Sequence, residues 1–356
     1  MLCGDSMRYR KNCFIFLFAL MLLFIVIVII ILISRLPKTE KIVIKPIKRS
    51  EAYKRAMEII DFVWEYEAKE LDRNDIKLPN FITNDKKTYV GIPYCWGGYI
   101  SIDLSDRKEV KNFTDAIKKG YFPGNILTEG VYKDKTAGLD CSGYIGAVFK
   151  LREKVSTETL KNYFSYINLS EIKPMDIFNS ENNHTFIYLK ESYDKNGIIT
   201  LEARHSDSIK SKDKTVVSYR TYEEINKGIN GKKYKVMRYK GIIDDEVSIR
   251  MDQYEFNNNK NIAYPAKKDF IYAGGMDYIE DVDYFKLLVD EHDEVLIKIY
   301  QLPKGIEAQL IDDKENVLMY FDSDVYKIKL NKGIYYLKFS NKEISQKYDK
   351  YIFEVK

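Results

Sequence analysis

The sequence has few of the residues that most often mark a metal or catalytic site. Its 356 residues include three histidines, four cysteines and two tryptophans. The cysteines and histidines form no close-spaced set of the kind that binds zinc. The net charge of +4 is small beside 57 basic and 53 acidic residues, so the composition carries no nucleic-acid signature. We therefore expect neither a zinc site nor a nucleic-acid partner.

Only one long apolar run is present, and it lies near the N-terminus. Every residue from Phe14 to Ile33 is apolar, and a helix of about 20 residues can cross a bilayer core of about 30 Å. No small-residue cleavage site follows the run. We predict a cytoplasmic head over 1–12, an uncleaved transmembrane signal anchor over 13–34 and a linker over 35–50. The body would then lie on the extracytoplasmic side; basic residues flank both ends of the run, so this orientation depends on the expected substrate.

The rest of the chain is long enough for two domains. In the first, over 51–243, helical spacing predicts a helix at about 51–70, and alternation predicts two strands at 185–189 and 198–203 joined by a hairpin turn. In the second, over 244–356, short alternating runs recur every 8 to 12 residues, which is typical of a β-sandwich.

Cys141 is the candidate nucleophile. It lies between Asp140 and Ser142, at the start of an apolar run with helical spacing. A helix N-terminus favours negative charge and lowers the pKa of a thiol, and the thiolate is the reactive form. Two alternatives remain open: a small buried hydrophobe, which most free cysteines are, or a disulfide with Cys95 that would abolish the nucleophile.

A cysteine nucleophile needs a base, and His184 is the best-placed histidine. It begins the first of the two predicted strands, and the hairpin brings Glu202 of the returning strand beside it. The carboxylate could then fix the imidazole tautomer, as the third member of a triad does. His205 is the alternative third residue. His292 lies in a charged turn and is interpreted as a surface residue.

Four motifs follow one another along the first domain: Tyr94-Cys95-Trp96-Gly97-Gly98, Asp140-Cys141-Ser142-Gly143, Asp176-Ile177-Phe178 and His184-Thr185-Phe186-Ile187-Tyr188-Leu189. In this order they resemble the motifs of the NlpC-type cysteine peptidases of bacterial cell walls. The resemblance implies a papain-like α+β domain, with Cys141 as nucleophile, His184 as base and Glu202 as third residue. It also implies that Tyr94 stabilises the oxyanion, that Asp140 and Ser142 contact substrate, and that no metal or organic cofactor is needed. The third position is often histidine in that family, and the 100–136 insertion is long here.

A second, shorter resemblance covers residues 246–356. The run Ile279-Glu280-Asp281-Val282-Asp283-Tyr284-Phe285, with the strands after it, is similar to the bacterial pre-peptidase C-terminal domain. That resemblance implies a binding or spacer role for this part of the chain.

Together these observations predict an α+β papain-like domain plus an all-β sandwich, preceded by one transmembrane helix. The predicted function is a membrane-anchored cysteine hydrolase that cleaves amide bonds in peptidoglycan stem peptides. One alternative is an amidase or acyl-transferring enzyme on the same fold. Another is a cell-wall binding or assembly protein without catalytic activity.

Overall fold

The computed structural model describes residues 18, 20–31, 42–67, 71–85, 87–205, 212–344 and 350–356. The chain divides into two compact units, Met1–Val43 and Ile44–Lys356. In the first unit residues 20–31 are helical. The second unit contains all the sheets and the candidate site, and it is the subject of the rest of the description.

The predicted transmembrane anchor is corrected by the structure. Within the described ranges, no helix is long and apolar enough to cross a membrane. The helical stretch over 20–31 is only about 18 Å long at 1.5 Å per residue. Residues 13–17, 19 and 32–34 of the predicted anchor, and the predicted head over 1–12, lie outside the described residues. The predicted single-pass location in the cell membrane, which depended on this anchor, is corrected with it.

Four short α-helices occur among the described residues of the second unit. The first begins where the sequence predicts a helix but ends ten residues early, because Phe62, Val63 and Trp64 favour extended backbone and Val63–Glu65 pairs with Thr88–Val90. Single-turn 3₁₀ helices lie at Thr159–Asn162, Leu169–Glu171 and Lys260–Ile262. The α-helices are α1 (Arg49–Ile60), α2 (Phe113–Lys118), α3 (Cys141–Val148) and α4 (Tyr222–Lys227).

In the first part of this unit, the residues that the structure describes form twelve strands. The hairpin predicted over 185–203 is confirmed, with a turn between its two eight-residue strands. The strands are β1 (Ile47–Lys48), β2 (Val63–Glu65), β3 (Thr88–Val90), β4 (Phe122–Pro123), β5 (Thr136–Ala137), β6 (Phe164–Tyr166), β7 (Ile177–Ser180), β8 (His184–Glu191), β9 (Gly197–Arg204), β10 (Lys214–Thr221), β11 (Lys235–Tyr239) and β12 (Ile242–Ile243).

Six of these strands form one antiparallel sheet in the order β10-β9-β8-β7-β11-β6. The short pairs β1–β12, β2–β3 and β4–β5 are separate from it. Helix α3 packs on β8 and β9, where Ile187, Leu201 and Ala203 are buried against its apolar side chains. The sheet therefore supports the helix that begins at Cys141.

The last part of the chain forms two sheets that share one core. Their orders are β13-β15-β20-β17-β18 and β14-β21-β16-β19, and buried side chains from both, such as Phe285 and Phe353, form that core. The short alternating strands predicted here are confirmed. They are β13 (Tyr264–Ala266), β14 (Phe270–Gly275), β15 (Val282–Val289), β16 (Asp293–Gln301), β17 (Ile306–Asp312), β18 (Val317–Phe321), β19 (Val325–Leu330), β20 (Gly333–Asn341) and β21 (Lys350–Val355).

The prediction of an α+β papain-like domain is wrong. Strands predominate over helices throughout the described residues, and three of the four α-helices of this unit have only six to eight residues. The segments between the motifs, over 100–136 and 151–176, form loops with short strands and single turns of helix. A helical layer is therefore missing from the described chain, because these polar segments lack the sustained apolar periodicity that long helices need.

Candidate functional site

Helix α3 begins at Cys141, as the sequence predicts, and Asp140 is its N-cap. One carboxylate oxygen of Asp140 accepts a hydrogen bond of 2.6 Å from the backbone N–H of Gly143, which satisfies one of the unpaired donors of the first turn. The ammonium of Lys154 lies 2.6 and 2.5 Å from the two carboxylate oxygens. Asp140 is thus held by the helix cap and by Lys154.

Ser142 is also engaged within the protein. Its hydroxyl lies 2.8 Å from the carbonyl oxygen of Val155 and accepts a hydrogen bond of 3.1 Å from Lys154. Both Asp140 and Ser142 are buried. Their polar atoms therefore orient the start of the helix in this structure, and their predicted contact with substrate stays a prediction.

The aromatic–glycine motif lies directly against the first turn of α3. A Cβ atom on Gly143 would lie 2.4 Å from the carbonyl oxygen of Gly98, and a Cβ on Gly98 would lie 2.6 Å from the carbonyl oxygen of Gly138. Tyr94 forms a parallel bridge with Leu139. Glycine is required at both contacts because any side chain would separate the two backbones.

The thiol of Cys141 is buried, with 6% of the residue exposed. Burial, followed by the charge of Asp140, raises the pKa of Cys141 to about 12. Lys154 and the backbone N–H groups of Thr185 and Ser142 oppose that rise in pKa. The expectation of a lowered thiol pKa at a helix N-terminus is therefore wrong for this structure, because desolvation outweighs the helix end.

His184 and Glu202 are brought together by the hairpin. Ile187 pairs with Leu201 in the β8–β9 ladder, which puts His184 and Glu202 on one face as diagonal neighbours. His184 Nε2 lies 2.7 Å from Glu202 Oε2. Burial lowers the pKa of His184 even though the Glu202 carboxylate acts to raise it, so the ring is neutral at pH 7. Nε2 makes the hydrogen bond to Glu202, and Nδ1 does not take part in it.

Glu202 is fully buried and is kept ionised by a residue that the sequence did not single out. Arg220 Nη2 lies 2.6 Å from Glu202 Oε2, and Arg220 Nε lies 3.2 Å from Oε1. Burial alone would raise the pKa of Glu202, but the charge of Arg220 and the His184 hydrogen bond hold it well below its ordinary value. Thr200 donates to Oε1 at 3.3 Å. Arg220 pairs with Ile198 in the β9–β10 ladder, and Ile198 lies on the same face of β9 as Glu202. The alternation of side chains on this hairpin is therefore the sequence signal that could have identified Arg220.

The helix that carries the Cys141 thiol packs on β8 and β9, the strands that carry His184 and Glu202. The backbone N–H of Thr185, one residue after His184, acts to lower the pKa of Cys141. Burial raises the pKa of Tyr234 to about 12, and the charge of Arg220 opposes this rise. The charges of Glu202 and Cys141 both add to it. Cys141, His184 and Glu202 are therefore carried by elements that pack directly against one another.

Tyr94 pairs with Leu139, two residues before Cys141, and His205 contacts Asp213 rather than Glu202. Burial, followed by the charge of Cys141, raises the pKa of Tyr94 well above its ordinary value, so its hydroxyl keeps its proton. The rings of Tyr94 and His205 are 5.6 Å apart, and His205 Nδ1 lies 3.0 Å from Asp213 Oδ1. Glu202, and not His205, is thus the residue that the structure puts against His184.

Cys95 and Cys141 are both free thiols in this structure. Cys95 is fully buried, its sulfur lies 3.3 Å from the Thr136 hydroxyl, and burial raises its pKa to about 12. The alternative of a disulfide between the two is not the state that this structure describes. Cys95 packs behind the Gly98 contact as a small buried side chain.

Comparison with known proteins gives little further guidance. No protein-family model matches the chain, and no curated protein matches it significantly. The motif resemblance to NlpC-type peptidases thus has no support from these comparisons.

Three solved structures are similar to 26% of this chain. The pre-peptidase C-terminal domain of collagenase from Bacillus anthracis matches at 17% identity over 94% of that domain, with a TM-score of 0.24. The periplasmic g-type lysozyme inhibitors PliG of Aeromonas hydrophila and Salmonella Typhimurium match at 9% and 18% identity over 96% and 98% of their chains, each with a TM-score of 0.21. At these TM-scores the similarities carry no conclusion about function or family.

Proposed function

We propose that the protein is a cysteine hydrolase in which Cys141 is the nucleophile, His184 the general base and Glu202 the residue that orients the base. The observation that supports the proposal is the hydrogen bond of 2.7 Å between His184 Nε2 and the buried Glu202 carboxylate, on strands against which the helix that begins at Cys141 packs. A buried carboxylate on an imidazole, next to a thiol, is the arrangement that activates a nucleophile.

The raised pKa of Cys141 and the lowered pKa of His184 favour a neutral thiol and a neutral imidazole before substrate reacts. With the thiol protonated and the imidazole neutral, Nδ1 of His184 takes the thiol proton as the sulfur attacks the carbonyl carbon of an amide. His184 then donates that proton to the amine nitrogen as the C–N bond breaks, which leaves an acyl thioester on Cys141. Water, deprotonated by His184, attacks the thioester and releases the carboxylic acid and the thiol.

Tyr94 is suited to bind the oxyanion of both tetrahedral intermediates. Its hydroxyl stays protonated because its pKa is raised, so it can donate a hydrogen bond where negative charge develops. Glu202 remains an anion beside Arg220 and stabilises the His184 imidazolium that each step forms.

The proposed substrate is an amide bond in a peptidoglycan stem peptide. This assignment comes from the motif resemblance to NlpC-type peptidases, in particular Asp140-Cys141-Ser142-Gly143 and the motif that begins at His184. The chemistry itself requires only an accessible amide.

Digestion of purified peptidoglycan by the full-length chain tests the proposal, with products identified by mass spectrometry under reducing conditions. New peptide termini are expected with the parent and with Cys95→Ala, and none with Cys141→Ala. Products that carry a new amine in place of water would instead indicate acyl transfer. No cleavage of any wall preparation, with equal binding by the parent and Cys141→Ala, would favour the cell-wall binding alternative and refute the hydrolase.

A further inference from the structure

Lys154 lies in the loop that follows α3 and directs its ammonium back to the start of that helix. Its Nζ lies 2.6 and 2.5 Å from the two carboxylate oxygens of Asp140. It also donates hydrogen bonds of 3.1 Å to the Ser142 hydroxyl and to the carbonyl oxygen of Val155. Only 23% of the Lys154 side chain and 10% of the Asp140 side chain are exposed. Because water is largely excluded from both groups, this ion pair is stronger than one on an open surface.

The negative charge of Asp140 is not required for its role as N-cap. Asparagine or serine would accept the hydrogen bond from the Gly143 N–H about as well, without a charge. A carboxylate one residue before Cys141 opposes negative charge on the sulfur, and the charge of Asp140 does raise the pKa of that thiol. The charge of Lys154 lowers the same pKa. Lys154 therefore offsets an effect of Asp140 that is unfavourable to a nucleophile.

Asp140 and Lys154 are the charged residues that act most strongly on Cys141. Both lie within one helical turn and the loop after it, so their effect does not depend on the His184 hairpin. The other charged or titratable side chains around α3 include Tyr94, His184, Arg204, Tyr234, the Glu202–Arg220 ion pair and the Arg55–Asp103 ion pair.

We propose that Lys154 is a positioning residue for the nucleophile: it holds Asp140 at the N-cap and neutralises it, so that negative charge can develop on the sulfur of Cys141. In the proposed mechanism this charge develops as the thiol proton passes to Nδ1 of His184 and the sulfur attacks the carbonyl carbon. Because this role assumes that Cys141 is the nucleophile, it rests on the proposed function. Lys154 acts through Asp140 and not by contact with substrate.

The test is the rate at which iodoacetamide alkylates Cys141 in the full-length chain, followed by peptide mapping between about pH 6 and pH 10. Lys154→Met removes the ammonium and keeps an apolar stem, which leaves the Asp140 carboxylate without its cation. A thiol pKa one unit higher lowers the thiolate fraction about tenfold, and the greater nucleophilicity of a more basic thiolate recovers part of that loss. We therefore expect alkylation to be at least about threefold slower than in the parent at every pH, with a similar fall in kcat/KM for peptide release and an unchanged KM.

Further variants separate the effect of charge from that of structure. Lys154→Arg keeps the positive charge and should be alkylated at about the parent rate. The double variant Asp140→Asn/Lys154→Met keeps a hydrogen-bonding N-cap without either charge, so alkylation should recover at least to the parent rate. A lysine that only braced the loop would leave the double variant as slow as Lys154→Met. Lys161→Met, at an exposed position, is the matched control and should be alkylated like the parent.

The outcomes distinguish this role of Lys154 from the hydrolase proposal, because alkylation requires no substrate. Parent-like alkylation of a Lys154→Met variant that is folded by circular dichroism, or a double variant as slow as Lys154→Met, would overturn the role of Lys154. If alkylation depends on Lys154 but the parent cleaves no peptidoglycan, the effect of Lys154 on the thiol stands and the hydrolase proposal fails. If Lys154→Met releases peptides at the parent rate, the hydrolase proposal stands and the role of Lys154 fails.

Discussion

Glu202 and His184 are joined by a hydrogen bond of 2.7 Å between Oε2 and Nε2, on adjacent strands of one hairpin. Because Nε2 is used in this way, Nδ1 of His184 is the ring nitrogen that acts as the base in the proposed mechanism. Arg220 shares the same carboxylate oxygen at 2.6 Å, so the anion that orients the imidazole is itself held by a buried ion pair.

Replacement of Glu202 by glutamine tests the orienting role. Glu202→Gln keeps the size of the side chain but removes the charge that stabilises the His184 imidazolium, and we expect kcat/KM to fall by about 100-fold or more. Peptide release from purified peptidoglycan would be measured beside Glu223→Gln, an exposed carboxylate on α4. Unchanged turnover in a folded Glu202→Gln variant would rule out Glu202 as the third residue.

The buried ion pair between Arg220 and Glu202 should matter for stability as well. Arg220→Met leaves the fully buried Glu202 carboxylate without its main partner, and we expect a loss of about 3–5 kcal/mol in the free energy of unfolding. Urea unfolding followed by circular dichroism would measure it. Adding Glu202→Gln in the same chain should recover much of that loss, since the unpaired charge is then gone. A double variant no more stable than Arg220→Met would contradict this explanation.

The reactivity of Cys141 toward an alkylating reagent should depend steeply on pH. With a thiol pKa of about 12, the thiolate fraction rises about tenfold for each pH unit between 6 and 10. The rate of iodoacetamide labelling, followed by peptide mapping specific for Cys141, should rise in parallel. A plateau near neutral pH would show instead that the resting enzyme holds a preformed thiolate–imidazolium pair.

The activity should fall at acidic pH, because His184 becomes protonated and can no longer act as a base. Burial lowers the pKa of His184 from 6.5, and only the neutral ring can accept the thiol proton. We therefore expect kcat/KM to fall as the pH drops through a value below 6.5. Between that value and neutral pH, kcat/KM should be constant. A pH profile of peptide release would locate this limb. A fall in kcat/KM centred above pH 7 would mean that Glu202 raises the pKa of His184 by more than burial lowers it.

The contact between the aromatic–glycine loop and α3 predicts a sharp steric effect. Gly143→Ala would favour the helix by propensity, but its Cβ would lie 2.4 Å from the carbonyl oxygen of Gly98. We expect a net loss of about 1–3 kcal/mol in stability, with reduced activity because Tyr94 moves away from the thiol. Gly305→Ala, where a Cβ meets nothing within 4 Å, is the control. Parent-like stability of Gly143→Ala would show that the loop yields without cost.

Local signals predicted several parts of the site correctly. Asp140 before the apolar run marks the start of α3, because an N-cap side chain acts on residues only three positions away. The hairpin that aligns His184 with Glu202 follows from alternation and a short polar turn. The strands of the sandwich were recognisable for the same reason.

The apolar run and the order of the motifs each led to an incorrect prediction. The run over 14–33 predicted a membrane span that the described residues do not support. The four ordered motifs predicted a papain-like α+β domain, but the segments between them supply strands and loops in place of a helical layer. Motifs report residues that lie near a site, whereas the fold depends on the long segments that separate them.

The sequence by itself determined where the helix of Cys141 begins, which strand carries His184, and that Glu202 can reach it, since caps and alternation act over a few residues. Only the packing of distant segments shows that burial raises the thiol pKa, that Arg220 pairs with Glu202, and that the carboxylates of residues 255, 277 and 281 converge. The physical reason is that desolvation and charge pairing depend on which distant segments pack together, and no short stretch of sequence contains that information.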